Sequence, residues 1–135
     1  MADRSTFERG LRIRREVVGA DHVERSLAGA TDFTRPLQEL VTEYCWGAVW
    51  GREDLDRRTR SLLNLAILTA LNHHTELGLH VRGALRNGCT EAEIRETLLH
   101  TAVYCGVPAA IDAFRTAQAA LAAEAAEGAD AAGGR

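Results

Sequence analysis

After Asp56 the chain reads Arg57-Arg58-Thr59-Arg60-Ser61-Leu62-Leu63-Asn64-Leu65-Ala66-Ile67-Leu68, and this stretch constrains the fold more than any other. Asp56 has the short acceptor side chain that closes a helix start. The residues that follow are apolar on nearly every side of a helix, so the helix must be buried, within one chain or between subunits. The longest apolar run, Leu65 to Leu71, is interrupted by Thr69 and is far too short to cross a bilayer. The other elements therefore have to supply a cover for this helix.

Helix signals recur along the rest of the chain, and no segment alternates as a strand does. Ser5 and Glu8 have capping-box spacing, and Phe7, Leu11, Val17 and Val18 form a partial stripe, so a first helix is expected from about Thr6 to Val18, ended by Gly19. Ala20 to Phe33 reads as an irregular connection with a short helical piece. Thr34 caps a second helix with Pro36 in its first turn. Asp56 opens the third and Thr75 the fourth, which Asn87-Gly88 stops as a left-handed cap. Thr90 and Glu93 form another capping box, and after Gly106-Val107-Pro108 an Ala-rich helix runs to about Ala123. The expectation is an all-α bundle of about six helices. With 135 residues it forms a single domain, 1–127, followed by a small, polar, flexible tail, 128–135.

Composition removes several function classes. A net charge of -3 argues against nucleic-acid binding. All sixteen basic residues are arginine, so every side-chain cation is a permanent planar fork suited to carboxylates. Cys45, Cys89 and Cys105 are odd in number and contain no CxxC pair, as expected of reduced thiols rather than disulfides or a zinc site. Met1 to Gly10 is polar and charged, unlike a signal peptide. The expectation is a soluble cytoplasmic protein without membrane or nucleic-acid partners.

Three of the five histidines lie in Asn72-His73-His74-Thr75-Glu76-Leu77-Gly78-Leu79-His80-Val81-Arg82. On a helix, Glu76 and His80 share a face one turn apart, and His73 falls at or before the first turn. The stripe admits three readings. It is a two-His, one-carboxylate metal site, a cofactor-free acid–base site, or a set of structural histidines. Trp46 and Trp50, at i and i+4, either wall a pocket or fill a core. Arg57, Arg58 and Arg60 crowd a helix N-terminus, where positive charge opposes the helix dipole; binding a substrate carboxylate, facing solvent or pairing across subunits would each account for them.

Much of the chain, roughly Phe7 to Leu121, resembles the carboxymuconolactone decarboxylase family. The likeness is carried by Leu55 to Ala66, Glu76 to Gly88, Thr31-Asp32-Phe33, Trp46-Gly47 and Thr101 to Ala110. The wider superfamily, typified by alkylhydroperoxidase D, carries a Cys-x-x-Cys followed four residues later by histidine. Laid on His80, those cysteine positions are His73 and Glu76, so thiol–disulfide chemistry has no thiols to run on. The resemblance implies an alkylhydroperoxidase D-like helical bundle assembled as a homo-oligomer, a hexamer or trimer.

It also implies loss of CO2 from 4-carboxymuconolactone, giving 3-oxoadipate enol-lactone in protocatechuate breakdown. The leaving carboxylate sits on a ring carbon gamma to the lactone carbonyl, which takes up the electrons, so neither metal nor organic cofactor is required. Three tasks remain for the protein: anchoring a dianion, stabilising the dienolate oxygen and protonating the ring carbon. Under the resemblance His80 is the proton donor, Glu76 orients it or shares the proton, and His73 or His74 stabilises the dienolate. Arg12, Arg15, Arg57, Arg60 and Arg82 form the shortlist for the retained carboxylate, with Trp46 as an apolar wall. Rival readings are a decarboxylase or isomerase of a related carboxylated lactone or β-keto acid, and a non-catalytic oligomer.

Overall fold

The computed structural model describes residues 4–133. Met1, Ala2 and Asp3, where the expected domain begins, and Gly134 and Arg135, the end of the expected tail, lie outside the described residues. Among the described residues there are seven α-helices, one π-helical segment and no strand. The chain divides into two compact units, Met1–Arg57 and Arg58–Arg135.

The first unit holds α1 (Arg4–Val18), α2 (Ala20–Ala28), α3 (Arg35–Leu40) and a π-helical segment (Val41–Val49) that continues α3 directly. The helix beyond the expected six is α2, the short helical piece expected within the Ala20 to Phe33 connection; it buries a single residue, Val23, which leaves little period to detect. Thr34 stands at the α3 N-cap as expected, but its hydroxyl accepts from the Thr31 N–H at 2.9 Å instead of capping the helix. At the end of the π segment the Trp50 N–H reaches back five residues to the Cys45 carbonyl at 2.9 Å.

Two glycines let α1 and the π segment cross with their backbones touching. A Cβ on Gly10 would stand 1.9 Å from the Thr42 carbonyl oxygen, and one on Gly47 would stand 2.3 Å from that of Thr6. Around this crossing Ile13, Val17, Val18, Val23, Trp46 and Trp50 are buried. Arg14 is buried with them and donates to Thr42 Oγ1 and Gln38 Oε1, both at 3.0 Å. Burial lowers its pKa, but a guanidinium stays charged across the range where proteins work.

The second unit is built from α4 (Arg57–Ala70, entered from the last residue of the first unit), α5 (His74–Arg86), α6 (Glu91–Tyr104) and α7 (Val107–Gly133). Its core is Leu65, Leu77, Val81, Ala84, Ile94, Leu98, Ala113 and Ala117. Each fully buried leucine or isoleucine there contributes about 1.5–3 kcal/mol. The Gly88 φ of 89° makes the expected left-handed stop, and the Cys89 N–H returns to the Ala84 carbonyl at 2.9 Å. Thr90 and Glu93 form the expected capping box, at 3.1 and 2.9 Å.

One expectation narrows in this unit and another changes. Within the chain the apolar helix α4 buries only Ser61, Leu65 and Thr69; Leu63 and Ile67 on another side remain 48% and 50% exposed, and Leu71, just past its end, 59%. And α7 continues past Ala123 to Gly133. Its alanines have the highest intrinsic helix preference, and Glu124 and Glu127 are tied to Arg82 on α5, so the residues from Gly128 to Gly133 are helical rather than irregular.

Candidate active site

The histidine stripe begins at the turn joining α4 to α5. Asn72 has a φ of 60°, an uncommon conformation for any residue but glycine. The His73 N–H bonds to the Leu68 carbonyl at 2.9 Å, and the His73 carbonyl receives the Leu77 N–H at 2.9 Å. His73 is thereby fixed as the N-cap of α5 with its side chain exposed. His74 is half-buried, and among the described residues its Nδ1 is a buried side-chain polar atom with no hydrogen-bond partner. Leaving such a nitrogen unpaired costs about 1–3 kcal/mol.

His80 is half-buried one turn beyond Glu76 on α5. Its Nδ1 lies 3.4 Å from the side-chain nitrogen of Asn64 on α4. Nearby, Asn87 donates to Ser61 Oγ at 2.8 Å, a second polar link between α4 and the end of α5. Glu76 is exposed, and no hydrogen bond or ion pair joins it to His80. The i, i+4 face expected from spacing is present, but the group that meets the imidazole is the Asn64 amide and not the carboxylate. Among the described residues His73, Glu76 and His80 do not converge as a metal-ligand set. Asn64 is absent from any reading of the histidine stripe by itself; its signal is a lone amide inside the apolar run Leu62–Leu68.

The arginine shortlist separates by partner. Arg82 is held on α5 by Glu124 at 2.7 Å and by Glu127, and the Glu124 hydrogen bond raises its pKa. Arg82 therefore works as a strut between α5 and α7, and a substrate carboxylate would have to displace two carboxylates to use it. Arg15 pairs with Glu24 at 2.7 Å, and Arg57 with Glu16 at 2.7 Å. Arg60 is half-buried on α4 and already engaged. Arg12 is exposed and makes no ion pair among the described residues. With Arg57 and Trp50 it lines a recess of about 390 Å3 within the first unit. Trp46 is 6% exposed and its ring centroid lies 4.8 Å from that of Trp50, which makes it part of the core of that unit. Cys45, Cys89 and Cys105 form no disulfide among the described residues, and the Cys89 thiol donates to the Arg58 carbonyl at 3.5 Å.

Similarity to known proteins adds to this geometry. The sequence model of the carboxymuconolactone decarboxylase family matches residues 35–119. A nitrosuccinic acid decarboxylase of Metarhizium robertsii is 52% identical over 115 residues, covering 85% of this chain and 80% of the relative. A 4-carboxymuconolactone decarboxylase of Acinetobacter baylyi is 41% identical over 118 residues, covering 87% of this chain and 88% of the relative.

Proposed function

The chain belongs to the carboxymuconolactone decarboxylase family, and from that premise we propose that it is a carboxy-lyase converting 4-carboxymuconolactone to 3-oxoadipate enol-lactone in aromatic catabolism. The observation that carries this reading is the 41% identity to the Acinetobacter baylyi enzyme across 87% of the chain. The family match also runs across the division between the two compact units, which supports treating residues 1–127 as one functional domain.

A second substrate, nitrosuccinic acid, is favoured by the 52% identity to the Metarhizium robertsii relative. The two substrates share their reactive core. In each, the carbon losing CO2 carries a CH2–carboxylate arm and is conjugated, directly or through a double bond, to an electron sink. That sink is a lactone carbonyl in one and a nitro group in the other. Either reaction leaves negative charge on oxygen, and then a carbon to be protonated. Because the substrate carries its own sink, the reaction needs no cofactor.

On this reading the chemistry falls to His80, Glu76, His73 and His74. The half-buried rings of His80 and His74 are suited to the developing oxyanion. Glu76, exposed one turn before His80, is suited to exchanging protons with solvent. The retained carboxylate needs a guanidinium; Arg82 is committed to Glu124 and Glu127, which leaves Arg60 on α4 as the other shortlisted arginine in the unit that holds the histidines. We also propose that the active form is a homo-oligomer, because Leu63 and Ile67 on α4 and Leu71 just after it leave an apolar stripe exposed in the single chain. Measuring kcat/KM of the purified protein on both substrates decides between them. A higher value on carboxymuconolactone supports the first reading, a higher value on nitrosuccinate supports the second, and turnover of neither overturns both.

A further inference from the structure

We propose that Asn64 is a positioning residue that holds His80 as a neutral imidazole with its proton on Nε2, so that His80 acts as a hydrogen-bond donor to the developing oxyanion and does not itself deliver a proton to carbon. The inference deepens the decarboxylase reading and rests on it only for the identity of the oxyanion.

The geometry is specific. The Asn64 side-chain nitrogen, on α4, lies 3.4 Å from His80 Nδ1 on α5, with both groups partly buried. An amide NH2 can only donate, so the ring nitrogen it meets must offer a lone pair. The proton of the neutral ring then has to sit on Nε2. Protonating Nδ1 would set an N–H against the amide hydrogens, so this contact disfavours imidazolium. Glu76 is exposed and unlinked to His80, Arg60 precedes Asn64 by one turn on α4, and Glu124 on α7 and Glu93 on α6 are taken by Arg82 and Arg58.

A neutral imidazole is a poor source of a transferable proton, because losing Nε2–H would leave an imidazolate. It is a good fixed dipole for an oxygen that becomes anionic as CO2 departs, since it needs no reorganisation at the moment of reaction. The division of labour follows from this. His80 stabilises charge, and the proton that ends on carbon arrives by another route.

The test is nuclear magnetic resonance of ring-labelled His80 in the wild type, Asn64→Asp and Asn64→Ala, read beside the pH profile of kcat. The Nε2–H tautomer is expected in the wild type. Asn64→Asp, of the same shape but an acceptor, should raise the His80 pKa by about one unit or more, and Asn64→Ala should weaken the tautomer preference. Wild-type kcat should fall as pH drops through the His80 pKa, and Asn64→Asp should move that acidic limb upward. An Nδ1–H tautomer in the wild type, a His80 pKa indifferent to both variants, or a kcat that falls as pH rises through the His80 pKa would overturn the proposal. The resonance arm needs no turnover. An inert wild type with Asn64-controlled His80 sinks the decarboxylase reading alone, whereas an active wild type indifferent to Asn64 sinks this inference alone.

Discussion

Arg82 follows His80 by two residues on α5, yet its environment is structural. Two carboxylates of α7 hold it, and its side chain is 25% exposed. Arg82→Met should therefore lower stability by about 1 kcal/mol, read as a shifted urea midpoint, and leave KM for a dicarboxylate substrate unchanged. Arg60→Ala, on α4 beside the histidine helix, should raise KM about tenfold or more through loss of a charge-assisted bond. At this scale the sequence was informative about residue types and uninformative about partners. His73, Glu76 and His80 stand out because spacing alone places them on one helix. Asn64 does not, because its link to His80 spans two helices, and Arg82 looked like a ligand until α7 proved long enough to carry Glu124 and Glu127 beside it.

The elements of the second unit were largely legible because their boundaries are written in local chemistry. Thr90 with Glu93 and Asn87 with Gly88 each act within a few residues. The first unit was less so. Its central feature is the crossing of α1 and the π segment, which depends on Gly10 and Gly47 meeting across a long stretch of chain. A π segment also follows a spacing that a 3.6-residue period does not detect. Gly10→Ala and Gly47→Ala should each force the two backbones apart and cost about 3 kcal/mol or more. Gly78→Ala is the contrast. Its Cβ would meet only Thr116 Cγ2, at an ordinary 3.4 Å, so relief of the glycine entropy cost should make it neutral or stabilising by up to about 1 kcal/mol. Chemical denaturation of the three variants checks both statements.

For the molecule as a whole, the all-α class follows from a chain in which every apolar period is helical, and α4 is the helix that leaves most of an apolar side uncovered. With Leu63 and Ile67 about half exposed, and Leu71 beside them just past its end, α4 has uncovered apolar surface. If that stripe joins copies, Leu63→Arg with Ile67→Arg should shift the sedimentation coefficient to that of a monomer; an unshifted value would place the subunit contact elsewhere. The central claim is that this fold carries a decarboxylase whose chemistry runs through His80. It is tested most directly by CO2 release from carboxymuconolactone and from nitrosuccinate with wild-type protein and His80→Ala, each with and without chelator. Wild-type activity on at least one substrate, unchanged by chelator, is expected, with a loss of about 10²–10³ in kcat for the variant. A folded His80→Ala protein that releases CO2 at the wild-type rate would contradict it.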